Sequence, residues 1–233
     1  MPLLIDIRKL TVINQLIEDG AENVVASLES LAGVEAHVEI KSISFVEPTD
    51  IAAEMGQGKR YSTHVQLTEP PYGVFLLTFS EESAAEVAGL MTAQPVDDDL
   101  NQLHRSALGE MCNILTSGFI DGIANTLETT IDFDTPELAF EDAGTIADDA
   151  LSHVRRDSMS IVLDSLVDIE ESDAAFTIRI FLIPDPGSFV HTVDGLELDA
   201  TTHEPVAADT TEVEEMDMSA DIDDLDIVTD EDG

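Results

Sequence analysis

Three polar residues stand at helical spacing near the middle of the chain, Ser106, Glu110 and Asn113, followed after a gap of 22 residues by Pro136. At about 100° per residue, these three positions and Ser117 fall within a wedge of roughly 60°, while Leu103, Ala107, Met111 and Ile114 turn toward another side. The pattern predicts a helix with one face in the core and a small polar site beside it. An amide such as Asn113 offers a carbonyl acceptor and N–H donors that do not titrate, so it can hold a water molecule in a fixed orientation. On a bond that is already activated, this is enough chemistry to matter. A 10- to 1000-fold acceleration requires only about 1.4 to 4 kcal/mol of transition-state stabilisation, which positioning one water can supply.

Other arrangements carry less. "DFDTP" at Asp132 to Pro136 has the Asp-x-Asp spacing of haloacid dehalogenase phosphatases, but Pro136 falls where those proteins need Thr or Val. The six histidines, His37, His64, His104, His153, His191 and His203, show no metal-ligand spacing, so no metal site is expected. No Gly-rich loop for phosphate is present. Asp97, Asp98 and Asp99 read as the cap of the helix that follows. Cys112, the single cysteine, reads as a small packing residue and gives no disulfide framework, which suits a reducing compartment.

The elements that must position the polar stripe are legible from periodicity. Residues 6 to 31 read as a helix with apolar positions at Leu10, Ile13, Ile17, Val24 and Leu28, ended by Gly33. Residues 34 to 46 alternate like a half-buried strand. Residues 59 to 67 and 72 to 79 form a hairpin pair around "EPPYG", and 81 to 92 is a short amphipathic helix. A linker, "AQPVDDD", leads into a long helix over about 97 to 127, which carries the stripe. Beyond it, "TTIDFDTP" is strand-like, 142 to 157 is helical, and 158 to 169 and 174 to 184 are a second antiparallel pair joined through "EESD". A shift of 95 residues superposes the two halves, placing Leu28 on Ile123 and Val38 on Phe133. The expected organisation is therefore a first half at 1–95, a second half at 96–198 and a tail at 199–233. The tail is acidic, Thr-rich and poor in aromatics, so disorder is expected there.

Composition bounds the setting. The formal net charge is -41, from 50 acidic residues against 9 basic ones. The last 33 residues hold 13 of the acids and no Lys or Arg, so the first 200 still carry 37 acids against all 9 bases. Such self-repulsion opposes compaction at ordinary ionic strength. In molar salt the Debye length falls to about 3 Å and the repulsion is screened. A halophilic source is expected, and nucleic acid is excluded as a partner, because its phosphates need Lys and Arg. No apolar run approaches a membrane span, and "MPLLIDIRK" does not read as a signal peptide, so a soluble, cytoplasmic protein without a membrane partner is expected.

Ser-x3-Glu-x2-Asn-x22-Pro, set in "SALGEMCNILTSGFIDGIANTLETTIDFDTPEL", resembles the pattern of the CheC family of chemotaxis phosphatases. The resemblance covers about residues 6 to 195. It implies an α+β fold made by internal duplication, with a mostly antiparallel sheet packed against two long related helices. It also implies removal of phosphate from the aspartyl phosphate of the response regulator CheY, here in archaeal chemotaxis and phototaxis. Asn113 would orient the attacking water and Glu110 would pair with the regulator's lysine. Ser106 stands where the family has Asp or Ser, and Pro136 would shape the neighbouring strand. No cofactor is implied, since magnesium would be carried by CheY. The receptor deamidase CheD is a further partner implied by the family, and the rival reading is a non-catalytic adaptor that binds CheY or CheD.

The first half departs from the motif. The same shift places Thr11, Gln15, Glu18 and Lys41 on Ser106, Glu110, Asn113 and Pro136. A carboxylate at Glu18 cannot mimic the amide and would repel an acidic phosphoryl pocket. Only another register would bring Asn14 or Asn23 nearer. In the tail, "MSADIDDLDIV" resembles the short CheY-binding peptide of the flagellar switch protein FliM, with Ile222 and Leu225 as the apolar contacts that the resemblance implies.

Overall fold

Each long helix has a physical start or stop that fixes it in the chain. In the computed structural model, which describes residues 7–33, 35–97, 99–152, 154, 159–169, 174–185 and 187–188, helix α1 spans Ile7–Ser27 and widens into a π turn at Leu28–Ala32. It ends at Gly33, whose φ of 67° lies in the left-handed region that glycine adopts without penalty, and whose N–H donates back to Leu28 O. Strand β1 (Ala36–Val46) follows, then a 3-10 turn (Pro48–Asp50), α2 (Ile51–Met55), β2 (Lys59–Leu67), β3 (Gly73–Phe79) and α3 (Glu81–Thr92). The second half holds α4 (Gln102–Thr126), β4 (Ala139–Asp142), α5 (Ala143–Leu151), β5 (Ser160–Ile169) and β6 (Ala174–Pro184).

Two expectations are corrected here. The long helix starts at Gln102, and its cap is Asn101, whose Oδ1 accepts a 3.0 Å bond from the His104 N–H. Asp97 and Asp99 lie ahead of the helix and do not cap it, because Asn101 is the acidic or amide side chain that reaches the open amides of the first turn. Asp98 lies outside the described residues. "TTIDFDTP" is also not a strand. Phe133 makes one bridge to Leu67, flanked by Thr68 N–H donating to Asp132 O and Asp134 N–H donating to Gln66 O. The strand forms at β4 instead, past Pro136, which has no N–H to give to a ladder.

The six strands make one antiparallel sheet in the order β1-β5-β6-β3-β2-β4. Exchanging β1 with β4, β2 with β5 and β3 with β6 returns the same order reversed, so the sheet repeats about a two-fold relation. Each half lends its edge strand to the other: β1 pairs with β5, and β4 pairs with β2. The register repeats as well. Val38 faces Val167 as Phe133 faces Leu67, and Ser44 faces Val162 as Ala139 faces Ser62. The pairing of β1 with β5 shifts between Ile40 and Ser42, at Lys41, the position equivalent to Pro136. Both edges therefore break at the same place.

Helices α1, α3 and α4 cover one sheet face over a core that includes Phe75, Leu77, Phe79, Leu163 and Ile180. On the other face, α2 and α5 cover Val74, Leu76, Val162, Phe181 and Ile183. Every residue of β3 is buried, as a strand covered on both faces requires. Helices α1 and α4 run antiparallel, with Asp19 beside Gly122 and Thr126, and Asn23 and Ser27 beside Gly118. The approach is possible because α4 has glycine there: a Cβ on Gly122 would lie 2.5 Å from Asp19 O. The contact occupies the last turns of α4 and leaves its first turns with an open outer face. The described residues of both halves belong to one compact unit.

A candidate phosphatase site on helix α4

Burial on α4 alternates as the sequence predicts for the motif. Leu108, Met111, Cys112 and Leu115 are at most 1% exposed, whereas Ser106, Glu110 and Asn113 are exposed and Ser117 is half-buried. At about 1.5 Å rise per residue the stripe from Ser106 to Asn113 is about 10 Å long, the scale of a contact with one partner surface. The Ser117 hydroxyl donates a 2.7 Å bond to the backbone carbonyl of Asn113 and so serves the backbone of the stripe. Among the described residues, none hydrogen-bonds to the Asn113 amide or pairs with the Glu110 carboxylate. Both groups are available to a partner while the helix beneath them is held by the core. Pro136 is half-buried in the break between the Phe133 bridge and β4.

Leu103 is corrected. Expected on the core side with Met111 and Ile114, it is 52% exposed. It sits in the first turn of α4, ahead of the stretch that α1 covers, and around the helix it falls midway between exposed Glu110 and buried Ile114, about 20° from each. The angle does not separate the two environments; the place in the first turn does.

The surrounding groups are chemically quiet. Burial pushes the Cys112 thiol up to about 12, so it is no nucleophile. Burial likewise raises Asp121 on the same helix. Tyr61 is also raised, first by burial, with the Arg105 guanidinium acting against it, and its ring stacks on Phe140 at 4.4 Å, joining β4 to β2. Asp134 uses its carboxylate to accept the Gln66 N–H, and Asp132 uses its carbonyl for Thr68, so the Asp-x-Asp pair fastens the 132–134 segment to β2. Among the described residues, no group of three or more His, Cys, Asp and Glu is arranged to hold a metal ion. His153, His191 and His203 lie outside the described residues, as do Ile222, Leu225 and the rest of the tail.

The equivalent stripe on α1 is exposed too, at Thr11, Gln15 and Glu18, but its chemistry differs. The Gln15 amide donates a 2.7 Å bond to Asp19 Oδ1, and Lys41, in the place of Pro136, pairs with Glu39. Asn23 donates to Gly118 O at 2.7 Å and is thereby committed to the α1–α4 contact.

The sequence profile of the family described as "Chemotaxis phosphatase CheX" matches residues 61–159. CheC1 of Halobacterium salinarum, a protein named provisionally as a CheY-P phosphatase, is 35% identical over 198 residues, which is 84% of this chain and all of that protein. Among solved structures, FliY of Thermotoga maritima aligns with a TM-score of 0.69 at 15% identity, covering 84% of this chain and 99% of that one. The FliM middle domain of H. pylori aligns with a TM-score of 0.54 at 10% identity, covering 82% of this chain and 99% of that one. At such identities the two structures speak for the fold alone. The relationship to the archaeal protein, spanning most of this chain and the whole of its relative, goes further: the chain belongs to the CheC family of chemotaxis proteins.

Proposed function

We propose that the protein accelerates hydrolysis of the aspartyl phosphate of the response regulator CheY. The observation that carries this reading is the exposed, unpartnered pair Glu110 and Asn113, held on a helix whose other face is core. Glu110 docks against the regulator's lysine, and the Asn113 amide enters the phosphoryl site and orients one water. The water oxygen then bonds to phosphorus as the bond from phosphorus to the aspartate oxygen breaks. The aspartate leaves as a carboxylate, and both protons of the water leave on inorganic phosphate, which gives one up to solvent according to pH. Nothing in this step asks the protein for a nucleophile, and the magnesium belongs to the regulator's own site. Ser106 supports the stripe at its N-terminal end, and Pro136 holds open the break in the adjacent edge.

Decay of phosphorylated CheY, with and without the protein in molar KCl, tests the proposal. Acceleration at substoichiometric protein supports it. Binding of CheY or CheD without acceleration would replace it with the adaptor reading. The tail belongs to the same proposal: Ile222 and Leu225 act as a recruiting peptide joined to the site through the chain, which raises the local concentration of CheY to the order of mM. Removing residues 214 to 233 then raises the apparent KM and spares the saturated rate, whereas identical kinetics reduce the tail to a solvation device.

A further inference from the structure

Among the described residues only two large hydrophobic side chains are exposed, Tyr72 at 47% and Leu103 at 52%. Tyr72 lies on the β2–β3 turn, where its backbone is engaged with Ser188 and Asp185. Leu103 lies on α4, within about 20° of Glu110 around the helix and about 10 Å toward the N-terminus, at the head of the stripe formed by Ser106, Glu110 and Asn113. Side chains on a helix lean toward its N-terminus, so Leu103 projects past the first turn on the side that Glu110 presents. The equivalent position in the first half, 95 residues earlier, is Arg8. The half that lacks the Glu and Asn therefore lacks the leucine as well.

From this placement we infer that Leu103 is the apolar anchor of the docking face, seated against an apolar patch of the CheY receiver beside the lysine that Glu110 engages. The inference rests on the reading of Glu110 and Asn113 as the CheY-facing pair. Its occupant follows from continuity, because a surface that covers Glu110 and Ser106 reaches Leu103 without leaving the helix. The solvent supplies a second reason. At molar salt, with a Debye length of about 3 Å, the attraction between Glu110 and a lysine is screened at all but contact range. Apolar burial is not screened in this way. A docking face for such a solvent needs an anchor without charge, and Leu103 is the side chain on the stripe that provides one.

The test uses the full chain and its cognate CheY in molar KCl, with two readouts. Calorimetric titration of beryllofluoride-loaded CheY measures docking, and decay of phosphorylated CheY measures turnover. Leu103→Ser, at an exposed site, is expected to weaken docking and raise the apparent KM about 5- to 10-fold while leaving kcat unchanged, as loss of a half-buried leucine contact would. Leu103→Met should restore docking, and Tyr72→Ser should change neither readout. Unchanged affinity and KM in Leu103→Ser, beside a wild type that accelerates decay, would overturn the inference alone. A wild type that binds without accelerating decay would overturn the phosphatase reading, and the titration would still decide whether Leu103 anchors the complex.

Discussion

Asn113 and Cys112 are neighbours in the chain with opposite environments. Asn113 is exposed on a helix whose packing is made by Leu108, Met111 and Leu115, so its amide contributes little stability and is open to a partner. Cys112 is 1% exposed, and burial raises its thiol from an ordinary value of 9.0 to about 12 by penalising the thiolate. The neutral thiol is thus favoured by folding, and the stability this group contributes is complete below pH 9 and lost as pH rises toward 12. At pH 8 the folded protein should resist labelling by a thiol reagent such as DTNB for as long as it stays folded, and should react stoichiometrically in denaturant. Native protein that labels as fast as a free thiol would contradict the packing of α4 described above.

At the scale of elements, two glycines of α4 make the same substitution go opposite ways. Gly109 has nothing within 4 Å of where a Cβ would stand, so Gly109→Ala should stabilise the protein by up to about 1 kcal/mol through helix propensity. Gly122 would place its Cβ 2.5 Å from the Asp19 backbone oxygen, and Gly122→Ala should destabilise by about 1 to 3 kcal/mol because α1 must move away. Denaturant melts of the two variants measure both signs, and equal shifts would show that α1 and α4 are not in close contact. The sequence told of α1, the hairpins and the stripe because their periodicity is set by burial on one face. It did not tell of the cap of α4 at Asn101, since Asp97, Asp98, Asp99 and Asn101 each qualify as a cap and only the backbone decides among them. Nor did it tell of β4, which is four residues long and owes its place to β2, an element some 80 residues away in the chain. At the site, the exposure of Ser106, Glu110 and Asn113 was legible from helical angle, while that of Leu103 was hidden because hydrophobicity normally means burial.

The whole molecule combines a symmetric frame with an asymmetric surface and a charge of -41. The acidity is distributed over both halves, and the related CheC1 comes from a halophilic archaeon. Lowering KCl to about 0.1 M lengthens the Debye length to about 10 Å, so repulsion among the carboxylates should lower the melting temperature relative to 3 M KCl. Melts that coincide across that range would remove the link between acidity and salt. The symmetric frame sets out two equivalent stripes, on α1 and α4, but the Glu and Asn to which we assign docking and the orienting of a water stand on α4 alone. The measurement that tests this most directly is the decay of phosphorylated CheY in molar KCl with wild type, Asn113→Ala and Glu18→Ala side by side. Asn113→Ala is expected to fold normally and lose the acceleration, while Glu18→Ala keeps it. Full acceleration by Asn113→Ala, or its loss in Glu18→Ala, would contradict the assignment.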